Sequence, residues 1–203
     1  MILPTRIVVV GVLMTAYVLA SLAVLGLGGC GGVQPRELSV ESLDGSTYRP
    51  IPSDLGIPTV LLFTATDCPV ANGYAPRIRA LHAEYAGPGM RFFVVNVEPD
   101  ATVEALREHA LAYDLPGPIL LDRDHALARF AGAQTTPEAV VLLPGGAVAY
   151  RGRIDDQVPS LGVRRPAATT SELRDALDAV LNGRPVAVPR APAVGCLIED
   201  WAH

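Results

Sequence analysis

Apolar residues fall into runs of two kinds along this chain. Thr59–Ala65 (TVLLFTA) and Arg91–Val97 (RFFVVNV) are apolar without alternation, as expected of strands buried on both faces of a sheet. Between them Tyr74, Ile78, Leu81 and Tyr85 recur at i, i+4, i+7 and i+11, one stripe of a helix that closes at Gly87-Pro88. A second helix is predicted to open at Pro99-Asp100, with Val103, Leu106, Ala110 and Leu111 on one side. PILLD reads as a short strand and HALARFAGA as a short helix closing at Gly132. TPEAVVLL and AVAYRGRI read as two strands joined by a two-residue hairpin turn at Gly145-Gly146. Upstream, ELSVESLDGSTY alternates and turns at Asp44-Gly45, a further hairpin. Thr169-Thr170-Ser171-Glu172 has capping-box form before the helix LRDALDAVLNG, which stops at Asn182-Gly183. The last twenty residues hold three prolines and no helical period, so they are predicted to run extended over the surface.

Buried strands alternating with helices, then a hairpin and a last helix, specify an α/β fold. Parallel strands joined by crossover helices put their C-terminal ends on one sheet edge, where such folds place their sites. Cys68 follows one of these strands directly. Pro69 suits the first position of a helix, which places Cys68 at the helix N-terminus or its cap. Free amides and the helix dipole stabilise a thiolate there, and cysteine pKa values fall to roughly 3.5–7.5 in such places. Asp67 opposes this, since a neighbouring carboxylate disfavours a second negative charge.

Composition narrows the chemistry. The net charge of −5 points away from nucleic acid and from an anionic membrane surface. All 16 basic residues are Arg, which excludes Schiff-base chemistry and a phosphate-loop lysine. The N-terminus reads as targeting: MILPTR carries Arg6, a long apolar stretch follows, and GGCGG ends it. Leu27-Gly28-Gly29-Cys30 resembles a bacterial lipobox, with Cys30 as the lipid-bearing residue; an uncleaved signal-anchor helix is the other reading. Residues 1–29 are then a signal peptide, 30–36 a tether, 37–183 the domain and 184–203 a tail. The protein is expected to be an exported, membrane-anchored lipoprotein facing the periplasm or cell exterior, where disulfides persist. Of the 3 cysteines, a lipidated Cys30 leaves Cys68 and Cys196 as a pair.

FTATDCPVANGYAP resembles the active-site stretch of the thioredoxin superfamily: strand, cysteine at a helix start, and Pro76 eight residues on. FAGAQTTPEAVVL resembles the second hallmark of that superfamily, whose proline is cis and packs against the reactive cysteine. The resemblance makes Pro137 that proline, and Thr136 before it a contact to substrate. The strand and helix between Val97 and Leu121 look like the insertion of the redoxin branch, which includes the alkyl hydroperoxide reductase/thiol-specific antioxidant proteins. DCPVAN, TPE, YRGRIDD and a terminal GCLI together look like an exported bacterial redoxin-domain group. The implied fold is thioredoxin-like α/β: a central mixed sheet flanked by helices, a cis-Pro loop, a redoxin-type insertion and an extended C-terminal tail. This chain departs from the pattern at four places. Ala71 replaces the second cysteine of Cys-x-x-Cys, and Leu62 stands where many thioredoxins bury an acid. Ala65 and Leu61 stand where peroxiredoxins place Thr and Pro before their cysteine.

With no adjacent second thiol, Cys196 is the candidate partner. In one reading Cys68 attacks a disulfide or peroxide and Cys196 resolves the product. In another the two form a static bridge in a redox-inert binding module, and in a third both stay free. Arg151 and Arg153, at a strand end, are candidates for supporting a thiolate or an anionic intermediate, or for pairing with Asp155 or Asp156. Glu138 is expected at the surface, and Asp155-Asp156 is read as turn chemistry. His82, His109, His125 and His203 show no ligand spacing, so no metal is expected; a copper-delivery role would need the close cysteine pair this chain lacks. No bound cofactor is expected. The expected partners are a thiol/disulfide electron donor or a substrate protein, with peroxide as a small-molecule alternative, and the membrane through the N-terminal lipid.

Overall fold

The structure is a computed structural model that describes residues 38–51, 56–87 and 89–198. The leader, the tether and Cys30 lie outside the described residues, as does His203. In chain order, β1 (Val40–Glu41) and β2 (Thr47–Tyr48) form the hairpin expected around Asp44-Gly45. Strand β3 (Thr59–Thr64) leads to helix α1 (Pro69–Tyr85), and β4 (Arg91–Asn96) to α2 (Val103–Ala112). Strand β5 (Ile119–Leu121), helix α3 (Ala126–Ala131), β6 (Thr135–Thr136), β7 (Glu138–Leu142) and β8 (Val148–Gly152) follow. The chain continues through α4 (Glu172–Leu181), β9 (Arg190–Ala191) and β10 (Cys196–Leu197).

Six strands make one mixed sheet in the order β5-β4-β3-β7-β8-β9. β3 is parallel to β4 and antiparallel to β7, so it lies inside the sheet with all six residues buried. Its side chains alternate between two cores. Val60 and Leu62 join the core that holds Tyr74, Ile78 and Leu81 of α1 with Leu173 and Leu177 of α4. Leu61 and Phe63 join the other, with Phe93, Val95, Leu120 and Leu127 of α3. Each such side chain stabilises the fold by about 1.5–3 kcal/mol on burial. That double-sided demand is why β3 and β4 show no alternation in sequence.

Four expectations change locally. Helix α2 starts at Val103, because Thr102 takes the N-cap and its hydroxyl accepts from the Ala105 amide at 3.1 Å. Of its predicted apolar side only Leu106 is buried, and Leu111 is 82% exposed. The β7–β8 connection is longer than a two-residue turn: the Gly146 amide donates to Leu143 O at 2.9 Å and the Leu143 amide to Ala147 O at 2.8 Å. At α4 the cap is Ser171; Thr169 instead gives its amide and hydroxyl to Asp156, and Glu172 pairs with Arg153. The turn residues Asp155 and Asp156 are themselves buried, and Asp155 receives the Tyr74 hydroxyl at 2.8 Å and Arg77 Nε at 3.1 Å.

The tail runs extended and largely exposed, as expected, but it is pinned to the fold at two points. β9 pairs in parallel with β8 at the sheet edge, and β10 pairs antiparallel with β6. Prolines stop a helix but leave single residues free to join a sheet edge, and the pairing partners were not readable from the extended stretch itself. Among the described residues no helix is long and apolar enough to cross a membrane.

Candidate active site

Cys68 caps α1. Its backbone is extended (φ −86, ψ 104), Pro69 follows inside the helix, and its sulfur accepts the Ala71 amide at 3.4 Å. The sequence placed it there, and the structure adds how the preceding loop is held. Glu98, just beyond β4, accepts both the amide and the hydroxyl of Thr66 at 2.7 Å, and Asn96 Nδ2 at 2.7 Å. Asn72 Nδ2 donates to Thr66 O at 2.8 Å, and His109 of α2 lies 2.8 Å from Asn72 Oδ1 through Nε2. The strand end, α1 and the inserted helix therefore meet at the loop that presents the cysteine.

Thr136-Pro137 is a cis peptide, as the resemblance implies, and Gly117-Pro118 is a second one that the sequence reading did not single out. The Cys68 thiol donates to Thr136 O at 2.9 Å. The Thr136 hydroxyl is buried without another hydrogen-bond partner, and it rotates freely enough to serve the sulfur once the thiol ionises. Glu138, expected at the surface, is buried. It accepts the amides of Gln134 (2.7 Å) and Thr135 (3.2 Å) and sits 3.6 Å from Arg151 Nε. A carboxylate next to the cis-proline thus fixes the loop before it. The cross-strand proximity of residues 138 and 151 was the available signal, hidden because register is a property of strand pairing.

β10 brings Cys196 opposite Thr136, and Leu197 opposite Thr135. Both cysteines are free thiols, Cys68 buried and Cys196 half-buried. Burial acts to raise the Cys68 pKa, but hydrogen bonds from the Cys196 thiol, Thr136 and the Ala71 amide outweigh it, and the thiol lies below its ordinary value. Cys196 moves the other way, pushed up by burial, by its hydrogen bond to Cys68, and by the charges of Cys68 and Asp67. Asp67 thus adds to the upward push on Cys196. The two thiols are thus displaced in opposite directions, Cys68 downward and Cys196 upward.

The predicted residues separate into those the fold gathers and those it does not. Cys68, Thr136, Pro137 and Cys196 converge. Arg151 and Arg153 do not support the thiol: Arg151 pairs with Glu138 and donates to Gly132 O at 2.5 Å, and Arg153 pairs with Glu172. Nor do they pair with Asp155 or Asp156, which are taken by Arg77 and Arg165. Beside Cys196 lies a groove of about 1030 Å³, lined among others by Asp67, Glu98, His125, Leu161 and Leu197. Buried His125, with its ring 2.6 Å from Val97 O, and Glu98 carried no motif in sequence. Among the described residues no group of three His, Cys, Asp or Glu side chains is placed to hold a metal ion.

Comparison with known proteins follows the same lines. The AhpC/TSA family matches residues 36–151. No curated protein sequence matches the chain. Among solved structures, an uncharacterized conserved protein from Geobacillus kaustophilus is 26% identical with a TM-score of 0.67, covering 79% of this chain and 87% of that one. A hypothetical protein from Sinorhizobium meliloti 1021 is 25% identical with a TM-score of 0.67, covering 82% and 92%. A secreted Mycobacterium tuberculosis disulfide oxidoreductase homologous to E. coli DsbE is similar in fold, at 22% identity and a TM-score of 0.52 over 73% of this chain and 99% of that one. With more than half its length matched, and a helix-capping cysteine facing a cis-proline loop on a mixed sheet, this chain belongs to the AhpC/TSA family of the thioredoxin-like redoxin superfamily.

Proposed function

We propose that the protein is an extracytoplasmic thiol–disulfide oxidoreductase in which Cys68 is the nucleophile and Cys196 the resolving thiol. The observation that carries this reading is the meeting of two thiols at one cis-proline strand: Cys68 caps α1, its sulfur accepting the Ala71 amide and its thiol donating to Thr136 O, and β10 sets Cys196 opposite the same Thr136. The Cys68 thiolate attacks a substrate disulfide, forming a mixed disulfide and expelling the other sulfur as a thiolate. That step removes the negative charge that helped hold Cys196 protonated, so Cys196 becomes easier to ionise when it is needed. It then attacks the Cys68 sulfur and releases the reduced substrate, its proton passing to the leaving thiolate. The products are a reduced substrate and a Cys68–Cys196 disulfide, which a dithiol donor returns to the reduced state with two electrons and two protons. Buried Ala65 and Leu61, apolar where peroxiredoxins have Thr and Pro, favour a disulfide over a peroxide as the electrophile.

One observation favours a redox-inert module: Cys68 has 0% exposure. A redox titration of the full chain separates the two, with alkylation of both cysteines mapped by mass spectrometry. A midpoint above roughly −250 mV is the expected result, and a bridge that reduces only below about −300 mV is structural and overturns the proposal. Export and anchoring through Cys30 form part of the same reading. A Cys30→Ala chain should lose its lipid-modified, membrane-bound form; retention of that form ends the lipoprotein assignment.

A further inference from the structure

A thiol with no exposed surface cannot meet a disulfide on another protein, so turnover requires that something lying over Cys68 moves away. The element placed to do so is β10. It is two residues long, it pairs with β6 alone, and β6 belongs to no other sheet. Beyond it the Ile198 amide donates to Gln134 O at 3.0 Å and the Ile198 side chain is buried, while Leu197 stands 77% exposed. Cys196 packs on the core cluster that contains Cys68. A strand this short holds few main-chain hydrogen bonds, so a competing strand can take its edge.

The close approach of β10 sets a condition on what can lie there. A Cβ at Gly195 would fall 2.6 Å from the Thr136 carbonyl carbon, 3.2 Å from the Pro137 nitrogen, and nearer still to the Thr136 oxygen. These are backbone atoms of the cis-proline loop, so they cannot swing aside as a flexible side chain would. The residue before the cysteine must therefore lack a side chain for that cysteine to reach the Thr136 register.

We propose that β10 holds the place of the substrate: a partner protein enters as an extended segment with a glycine directly before its oxidised cysteine, displaces β10, and pairs antiparallel with Thr135 and Thr136. The inference rests on the reading of Cys68 as nucleophile and names the substrate class for it. An apolar residue after the substrate cysteine would take the position of Leu197, in the same groove as Leu161, itself 67% exposed. The Cys68 thiolate bonds to the substrate cysteine's sulfur, and that cysteine's former partner leaves as a thiolate. Return of β10 brings Cys196 to the Cys68 sulfur, and the substrate cysteine leaves as a thiol carrying the Cys196 proton.

The test uses the full-length, reduced Cys196→Ser protein, which arrests the reaction at the mixed disulfide. The probes are two capped hexapeptides, Ala-Val-Gly-Cys-Leu-Ile and Ala-Val-Ala-Cys-Leu-Ile, each with its cysteine joined to 2-thiopyridine, and dipyridyl disulfide as a small reference. Release of the thiopyridine gives the rate. The glycine peptide should react about tenfold faster than the alanine peptide after normalisation to the reference. Adding Gly195→Ala to the protein should loosen β10 and speed the glycine peptide about tenfold, with the preference between peptides kept. Equal peptide rates with a reactive reference overturn the docking proposal and leave the nucleophile reading intact. A Cys68 inert to both peptides and to dipyridyl disulfide overturns both. If the Gly195→Ala chain does not fold, the two-peptide comparison on the Cys196→Ser protein still decides.

Discussion

Replacing Cys196 with Ala should raise the pKa of Cys68. The buried sulfur of Cys68 is surrounded by the Ala71 amide at 3.4 Å, by Thr136, and by the Cys196 thiol. Burial acts upward on its pKa and is the largest single influence; the Cys196 thiol is the largest of those acting downward. A hydrogen bond to a charged group stabilises it by about 1.5–3 kcal/mol, and a thiol is a weak donor, so about 1.5 kcal/mol is appropriate here. At about 1.4 kcal/mol per pKa unit, the loss corresponds to a rise of about one unit. The truncation removes one sulfur and leaves the β10 backbone paired, so the change in burial is the smaller effect. The assay is the pH dependence of Cys68 alkylation in reduced protein, read by mass spectrometry. Cys196→Ser provides the comparison, because a hydroxyl donates more strongly than a thiol and should hold the pKa at or below its starting value. If Ala and Ser shift it equally and in the same direction, packing rather than hydrogen bonding governs the thiolate, and the reasoning fails.

Two further outcomes follow from residues around the site. Glu138→Ala strands the Gln134 and Thr135 amides and unpairs Arg151, and should cost about 2–4 kcal/mol in urea denaturation, whereas a cost below about 0.5 kcal/mol would show that Glu138 does not hold the cis-proline loop. His109, its pKa lowered chiefly by burial despite the opposing charge of Glu98, is favoured in the neutral form when folded. Its contribution to stability is therefore lost as pH falls below the unfolded value of about 6.5, and His109→Gln should flatten the decline in urea midpoint between about pH 7 and pH 5; an unchanged slope would assign that decline elsewhere.

The elements around Cys68 were legible because each follows from a short-range rule. The stripe Tyr74, Ile78, Leu81 and Tyr85 is buried along α1 as its spacing requires, and Pro69 placed Cys68 at the cap. The continuous runs of β3 and β4 announced strands covered on both faces. Periodicity misled where local hydrogen bonding took precedence: Thr102 moved the start of α2, and Asp156 drew Thr169 away from the cap of α4. Pro137 and Thr136 came from resemblance, not from any pattern of polarity.

What the chain could not disclose on its own was partnership between distant residues. Cys196 lay in a proline-rich stretch with no period, and only the antiparallel pairing of β10 with β6 set it against Thr136 and Cys68. Glu138 read as a surface acid until strand register put Arg151 beside it, and Arg151 read as an anion-binding candidate for the same reason. By itself the sequence determined the longer strands, the helices and the helix-capping cysteine, because hydrophobic period, capping and backbone sterics act within a few residues. Tertiary structure decided which groups share the sulfur's surroundings, because main-chain pairing and desolvation join residues far apart in the chain, and no local spacing encodes them.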